Sequence, residues 1–173
     1  MSASTVALGA NADAGPLADF DELFRAHRGR VLALCLRLCG SRALAEDALQ
    51  ETFLEVYKGL HGFRGESQLG TWIYRVAMRT ALRLRARHPA PVDADVELAL
   101  GTSEPHAALA AREQARAVQA ALDALPAEQR VVVALFAADG LGHAEIAEIL
   151  GVPEGTVWSR LHKARKALAA ALA

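Results

Sequence analysis

The feature that most constrains the fold is the stretch AEIAEILGVPEGTVWSRLHKARKAL near the C-terminus. Ala147 falls where two helices would cross closely, and Gly151 falls in the turn between them, where a positive φ is favoured. Val157 is predicted to pack back against the first helix. Three aliphatic residues complete the expected small core: Ile146, Leu150 and Val152. A small residue, a glycine and a β-branched residue at these intervals are typical of a helix-turn-helix.

The second helix of this pair is basic. Its predicted outward side chains are Thr156, Trp158, Ser159, Arg160, His162, Lys163, Arg165 and Lys166. Cationic side chains neutralise phosphates and arginine can read guanine, so DNA binding is favoured over a merely solvated face. Trp158 follows the inward Val157, so it is either exposed for contact or covers a neighbouring helix, and both interpretations stay open.

Helical periodicity also runs through most of the remaining chain. Residues 1–16 lack it and are predicted to be a disordered tail. Helices are expected over 17–88, followed by a linker rich in proline and acidic residues over 89–105 and further helices over 106–173. Because no strand alternation is visible, the predicted fold class is all-α. It consists of two small helical bundles joined by a flexible linker, the C-terminal one a helix-turn-helix.

Composition excludes several function classes. No apolar run approaches a membrane span and no signal peptide is apparent, so the chain is expected to be cytoplasmic. The net charge of −1 means that DNA binding must come from local patches. Cys35 and Cys39 have no nearby histidine for zinc, and burial as small apolar residues is the favoured interpretation. With no catalytic set, metal-ligand spacing or phosphate loop, we expect no enzyme, metal or cofactor.

A second basic helix is predicted in the first half, at TWIYRVAMRTALRLRAR. Arg75, Arg79 and Arg83 are four residues apart and are predicted to form one continuous stripe. Trp72 opens the helix. Two more candidates precede it, Phe63 and Arg64. Cations interleaved with aromatic rings suit a nucleic-acid strand with unstacked bases. Nucleic-acid binding is favoured for the arginine stripe, whereas a core position is favoured for Trp72.

The helix before this one has an acidic and amide face. Its polar members are Glu46, Asp47, Gln50, Glu51 and Glu55, around Phe53, Leu54 and Tyr57. Such a face repels DNA and suits a basic protein surface. An ordinary solvated face is an equally open interpretation.

Taken together and in order, these stretches resemble the extracytoplasmic-function group of the sigma-70 family of bacterial RNA polymerase sigma factors. The matching stretches are EDALQETFLEVYKGL, FRGESQLGTWIYRVAMRTAL and LPAEQRVVVALFAADGLGHAEIAEILGVPEGTVWSRLHKARKAL. They cover nearly all of residues 20–168. The resemblance implies a sigma factor that binds core RNA polymerase and directs promoter-specific initiation.

The resemblance also implies a role for each bundle. Residues 17–88 would be domain 2, docking on the β′ coiled coil through Asp47, Gln50, Glu51, Phe53 and Leu54. The same domain would melt the −10 element with Phe63, Arg64, Trp72, Arg75, Arg79 and Arg83. Residues 106–173 would be domain 4, which docks on the β flap and reads the −35 element. Its DNA-binding residues would be Thr156, Trp158, Ser159, Arg160, Lys163, Arg165 and Lys166. An anti-sigma partner is also expected.

The sequence departs from the family pattern at three places and leaves two alternatives open. Met78 and Arg79 replace an Arg-Asn pair, Arg83 replaces a frequent aspartate, and Trp158 replaces a frequent lysine, so the base preference is open. A transcriptional regulator of the response-regulator kind would need strands in the first half. A sigma-like protein that titrates an anti-sigma factor should have lost its basic helices, and both are present.

Overall fold

The computed structural model describes residues 16–63, 65, 67–88 and 105–173. These ranges form seven α-helices and no strand, which confirms the all-α prediction. The helices are α1 (Pro16–Cys39), α2 (Arg42–Leu60), α3 (Leu69–Arg87), α4 (Pro105–Asp123), α5 (Ala127–Asp139), α6 (His143–Leu150) and α7 (Glu154–Ala171). The tail up to residue 15, the linker over 89–104 and Arg64 lie outside the described residues. None of the described helices combines the length and the apolar character that crossing a membrane requires.

Helices α1, α2 and α3 form the first group. Their apolar residues recur at three- and four-residue steps, so each helix buries one face against the other two. Leu34, Ile73 and Val56 are fully buried examples from the three helices. Gly59 lies where α2 meets α3, because a Cβ atom there would come within 2.9 Å of the Trp72 ring.

Helices α4 to α7 form the second group, and α6 and α7 are the helix-turn-helix. Gly151 ends α6 in the left-handed conformation, with φ of 64°. The Val152 N–H donates to Ala147 O at 3.1 Å, which closes the turn. Val157 is fully buried and Ala147 nearly so. The predicted roles of these residues in the turn and in the small core are confirmed.

The two groups of helices pack against each other. One continuous cluster of buried apolar side chains includes Leu34 and Leu38 of α1 and also Val132 and Leu135 of α5. The sequence pattern showed that α5 has an apolar face, but periodicity does not identify the neighbour that covers it. In this structure the two groups of helices are therefore packed together, whereas the linker that was predicted to be flexible lies outside the described residues.

The two cysteines lie within this core and are free thiols. Burial raises the pKa of both, and that of Cys39 reaches about 11 although Arg85 nearby opposes the shift. The predicted burial as small apolar residues is confirmed. Among the described residues, no group of three or more histidine, cysteine, aspartate or glutamate side chains could hold a metal ion.

Candidate nucleic-acid interface

Helix α7 exposes a cationic face. Val157, Leu161 and Ala164 are its buried residues, so the opposite side of the helix points to solvent. The exposed residues that were predicted to bind DNA are Trp158, Ser159, Lys163, Arg165 and Lys166. Exposed cations near a helix-turn-helix can neutralise phosphates without moving the core. His162 is also exposed on this helix.

Two other predicted residues lie at the side of α7. Thr156 is half-buried. Arg160 donates from Nη2 to Glu128 Oε2 at 2.7 Å, and its side chain is only 22% exposed. Arg160 is therefore engaged by α5 in this structure.

Trp158 takes part in an aromatic stack with His143 and Phe136. Its ring lies parallel to the His143 ring, with centroids 3.9 Å apart and planes inclined by 6°. The His143 and Phe136 ring centroids are 5.8 Å apart. The Arg165 guanidinium lies over the Phe136 ring, 5.3 Å from its centroid. Trp158 is still 55% exposed. Trp158 therefore covers a neighbouring helix and also keeps an exposed surface, and contact of that surface with DNA stays a prediction.

His143 is a residue that the sequence interpretation missed. It is the first residue of α6, and nothing in the helical periodicity links it to a position fifteen residues later. Only the crossing of α6 and α7 brings its ring onto Trp158. The sequence held one partial indication of this contact. Because Val157 points inward, the adjacent Trp158 lies at the edge of the buried face, where a large apolar ring is expected to pack on a neighbouring side chain.

The basic helix α3 does not present a continuous stripe. Arg75 donates from Nε to Ile149 O at 3.2 Å and from Nη2 to Glu148 O at 2.5 Å. These carbonyls end α6, where the helix dipole favours a cation. Arg75 thus ties α3 to the helix-turn-helix.

The other two stripe residues differ from Arg75 and from each other. Arg83 forms ion pairs with Glu51 at 2.9 Å and Glu55 at 3.6 Å. The hydrogen bond to Glu51 is the main reason that the pKa of Arg83 is raised above its usual value. Arg79 is exposed. The predicted stripe is therefore divided, because acidic residues of α2 and carbonyls of α6 engage two of its three members.

The aromatic candidates near α3 are partly buried. Trp72 packs against the core cluster, and its ring lies 5.3 Å from that of Phe63 with an inclination of 34°. This placement agrees with the favoured core position of Trp72. A crevice of about 350 Å³ lies between α3 and α6, lined among others by Trp72, Arg75 and Leu150.

Helix α2 carries an exposed face that was predicted to bind a protein partner; we call it the docking face and define it by Asp47, Gln50 and Leu54. Asp47 and Gln50 are exposed, and Leu54 is 57% exposed. Phe53 is different. It is only 4% exposed, and its ring packs on that of Phe24 at 4.8 Å. Phe53 belongs to the core, because its direction on α2 is that of the buried Val56, and it supports the docking face from beneath.

A second polar junction joins the two groups of helices. Arg85 of α3 donates to Cys39 O and forms an ion pair with Asp123 of α4 at 3.0 Å. Gln119 of α4 donates to Arg37 O at 3.4 Å and to Asp123 Oδ1 at 3.3 Å. The Arg85 and Asp123 side chains are less than one fifth exposed, so this network lies mostly inside the packed junction.

Comparison with family models finds two matches on this chain. The model for sigma-70 region 2 matches residues 23–89, which correspond to most of α1 to α3. The model for sigma-70 region 4 matches residues 115–168, which include α5, α6 and most of α7. The two matched segments together span more than half of the chain.

Individual relatives are similar over nearly the whole chain. The RNA polymerase sigma-H factor of Pseudomonas aeruginosa is 34% identical over 165 residues, covering 88% of this chain and 86% of that protein. The ECF RNA polymerase sigma factor SigM of Mycobacterium tuberculosis is 34% identical over 160 residues, covering 90% of this chain and 78% of that protein.

Solved structures show the same fold. CnrH, in complex with the cytosolic domain of CnrY, superposes with a TM-score of 0.69 at 24% identity, covering 91% of this chain and 90% of that one. RpoE from Bartonella quintana, in complex with the anti-sigma factor NepR, gives a TM-score of 0.65 at 23% identity, covering 89% and 96%.

Proposed function

The chain belongs to the sigma-70 family of RNA polymerase sigma factors, in its extracytoplasmic-function group, and from this premise we propose how its parts divide the work of initiation. It is a sigma factor that directs RNA polymerase to promoters. Residues 17–88 act as domain 2 and residues 106–173 as domain 4, with 89–105 as the linker. The protein works by binding alone, without a catalytic site or cofactor, and we expect it in the cytoplasm.

The exposed cationic face of α7 carries the proposal. Lys163, Arg165 and Lys166 project from a helix whose opposite side is fixed by Val157 and Leu161. Such a helix fits the major groove, where its N-terminal residues reach base edges and its cations contact phosphates. Domain 4 therefore reads the −35 element through α7, and Arg160 joins once Glu128 releases it.

Domain 2 acts on the −10 element through α3. Arg79 is exposed and available for the non-template strand. Phe63 and Trp72 supply aromatic rings on which an unpaired base can stack. Arg75 and Arg83 contribute when their contacts with α6 and α2 open. Arg64 lies in the loop before these residues and is assigned to the same element by position in the chain.

The docking face of α2 binds core polymerase. Its exposed acidic and amide groups repel DNA and complement a basic protein surface, for which we propose the β′ coiled coil. Glu51 belongs to the same surface, although Arg83 holds it here. Domain 4 docks on the β flap. We also expect an anti-sigma partner, because RpoE of similar fold was solved in complex with NepR.

Reconstitution with bacterial core RNA polymerase tests the proposed function. The wild-type chain should co-elute with core enzyme on a sizing column and yield run-off transcripts from genomic promoter fragments. Absence of both the complex and the transcripts would show that the proposed function is wrong.

A pair of matched variants tests the docking face. Leu54→Asp places a charge on an exposed apolar residue of α2 and should reduce co-elution with core enzyme by at least tenfold. Leu172→Asp makes the same change at an apolar side chain that is 46% exposed near the end of α7. It should leave assembly with core enzyme largely intact. Equal losses for the two variants would mean that α2 does not provide the docking surface.

A further inference from the structure

Trp158 is the exposed large apolar side chain of the recognition helix. It is the fifth residue of α7, within the N-terminal part of the helix that reaches base edges in a helix-turn-helix. Its immediate neighbour Ser159 is exposed, as are His162 and Lys163 one turn on. An indole at this position cannot neutralise a phosphate, so it contributes apolar contact area within a cationic surface.

The stack on His143 holds this indole in place. The two rings are parallel at 3.9 Å, so one face of Trp158 is covered while the rest of the ring remains exposed. His143 Nε2 is buried and has no hydrogen-bond partner among the described residues. Ring packing, and not a hydrogen bond at Nε2, therefore holds that end of the His143 imidazole among the described residues. An exposed aromatic ring that is already ordered loses little conformational entropy when it contacts a ligand.

We propose that Trp158 is a specificity-determining residue that contacts the C5-methyl group of a thymine in the −35 element. This inference rests on the proposed function, since it assumes that α7 lies in the major groove of that element. The thymine methyl is the apolar group that base pairs display in the major groove, and an indole edge complements it. His143 is a positioning residue, because it acts on DNA only through the Trp158 ring.

Replacement of single thymines by deoxyuridine tests the contact. The probe is a promoter duplex that the reconstituted holoenzyme selects from a randomised library, with each thymine of the −35 element replaced in turn on either strand. Removal of one methyl group should weaken wild-type holoenzyme binding about fourfold at one position, the value expected for burial of one methyl-sized group. With Trp158→Ala, the same replacement should have no effect.

The outcomes separate this inference from the proposed function. If wild-type holoenzyme transcribes the promoter but no deoxyuridine replacement distinguishes wild type from Trp158→Ala, the thymine contact is wrong and the sigma-factor function stands. A selected −35 element without thymine also overturns it. If Trp158→Ala instead weakens assembly with core polymerase in the absence of DNA, the indole serves a protein partner and the inference is wrong.

Two variants of His143 test its positioning role. His143→Phe keeps a flat ring beside Trp158 and gives up Nε2, which has no hydrogen-bond partner among the described residues, so the deoxyuridine effect should persist. His143→Ala removes the stacking surface and should lower the effect to below twofold while circular dichroism shows unchanged helix content. If His143→Ala distinguishes thymine from deoxyuridine as strongly as the wild type does, the stack does not position Trp158.

Discussion

The two basic helices, α3 and α7, carry similar residues but use them differently. In α3, Arg75 is bonded to the end of α6 and Arg83 to acidic residues of α2. In α7, Lys163 and Lys166 are exposed, and among the predicted DNA-binding residues of this helix only Arg160 forms an ion pair with another described residue.

The difference shows that a cationic sequence does not by itself provide a cationic surface. A guanidinium has five donors, and nearby carbonyls or carboxylates of the same chain satisfy them as well as DNA does. Binding of α3 to a promoter through Arg75 therefore requires the two groups of helices to separate at α6. The exposed cations of α7 require no such step.

Reversing a charge on α7 should have the largest effect. Lys163→Glu removes a phosphate contact worth about 1 kcal/mol and adds repulsion of similar size, so promoter affinity of the holoenzyme should fall about 30-fold. Filter binding at fixed salt measures the loss. Arg25→Glu is the matched control, because it makes the same change at a well-exposed arginine of α1. An equal loss in Arg25→Glu would mean that α7 is not the reading surface.

Removing the bridge from α3 to α6 should have an intermediate effect. Arg75→Ala loses two hydrogen bonds from a charged group, and because the site is partly exposed the free energy of unfolding should fall by about 1–2 kcal/mol. Urea unfolding measures this value. Hydrogen exchange of the Gly151 and Val152 amides should also accelerate in the free protein.

Arg79→Ala is the matched control for this bridge. It removes the same charge from the next turn of α3, at an exposed position. Because it leaves the contact with α6 intact, exchange near Gly151 should be unchanged. If both variants accelerate exchange equally, Arg75 does not hold the two groups of helices together.

Removing the Arg83 side chain, which pairs with Glu51 and Glu55 of α2, should have a smaller effect on stability and on affinity for core polymerase. Arg83→Ala breaks two partly exposed ion pairs and should leave the free energy of unfolding nearly unchanged. It also frees Glu51 for the docking face, so affinity for core polymerase should rise about twofold. Fluorescence titration with core enzyme measures the change, with Arg87→Ala as an exposed control on α3. A clear drop in affinity would indicate that Arg83 itself contacts the polymerase.

The smallest expected effect is the contribution of the buried thiols to the pH dependence of stability. This contribution is absent near neutral pH. The pKa of Cys39 is about 11 in the folded chain against an ordinary value of 9.0. A raised thiol pKa leaves stability unaffected below about pH 9 and lowers it as pH rises towards 11, because the unfolded chain releases its protons first. Urea unfolding at a series of pH values should show this decline, and a Cys35→Ala/Cys39→Ala variant should lack it.

The same thiols report on the junction beside α3. At pH 8 a thiol reagent should leave wild-type Cys35 and Cys39 unmodified, because both are buried and protonated. Arg85→Ala removes the contacts with Cys39 O and Asp123 and should accelerate labelling. Rapid labelling of the wild type would show that this junction is open in solution.

Sequence patterns predicted the helix-turn-helix well because its determinants are local. Ala147, Gly151 and Val157 lie within eleven residues, and each has a role that its size or its permitted φ fixes. The exposed cations of α7 follow from the same periodicity. Phe53 and Leu54 were harder, since adjacent residues at the border of an apolar stripe differ in direction by about 100° and only the packing of α1 decides which one is buried.

The amino-acid sequence by itself determined the all-α class, the two groups of helices and the residues able to carry DNA-binding charge. These depend on periodicity, on glycine conformation and on residue type, which act over a few positions. Only the tertiary structure decided that Arg75 bonds to the end of α6, that Arg83 pairs with Glu51, and that Trp158 stacks on His143. Such contacts join distant positions, and their partners are chosen by how the helices cross, which no local pattern encodes.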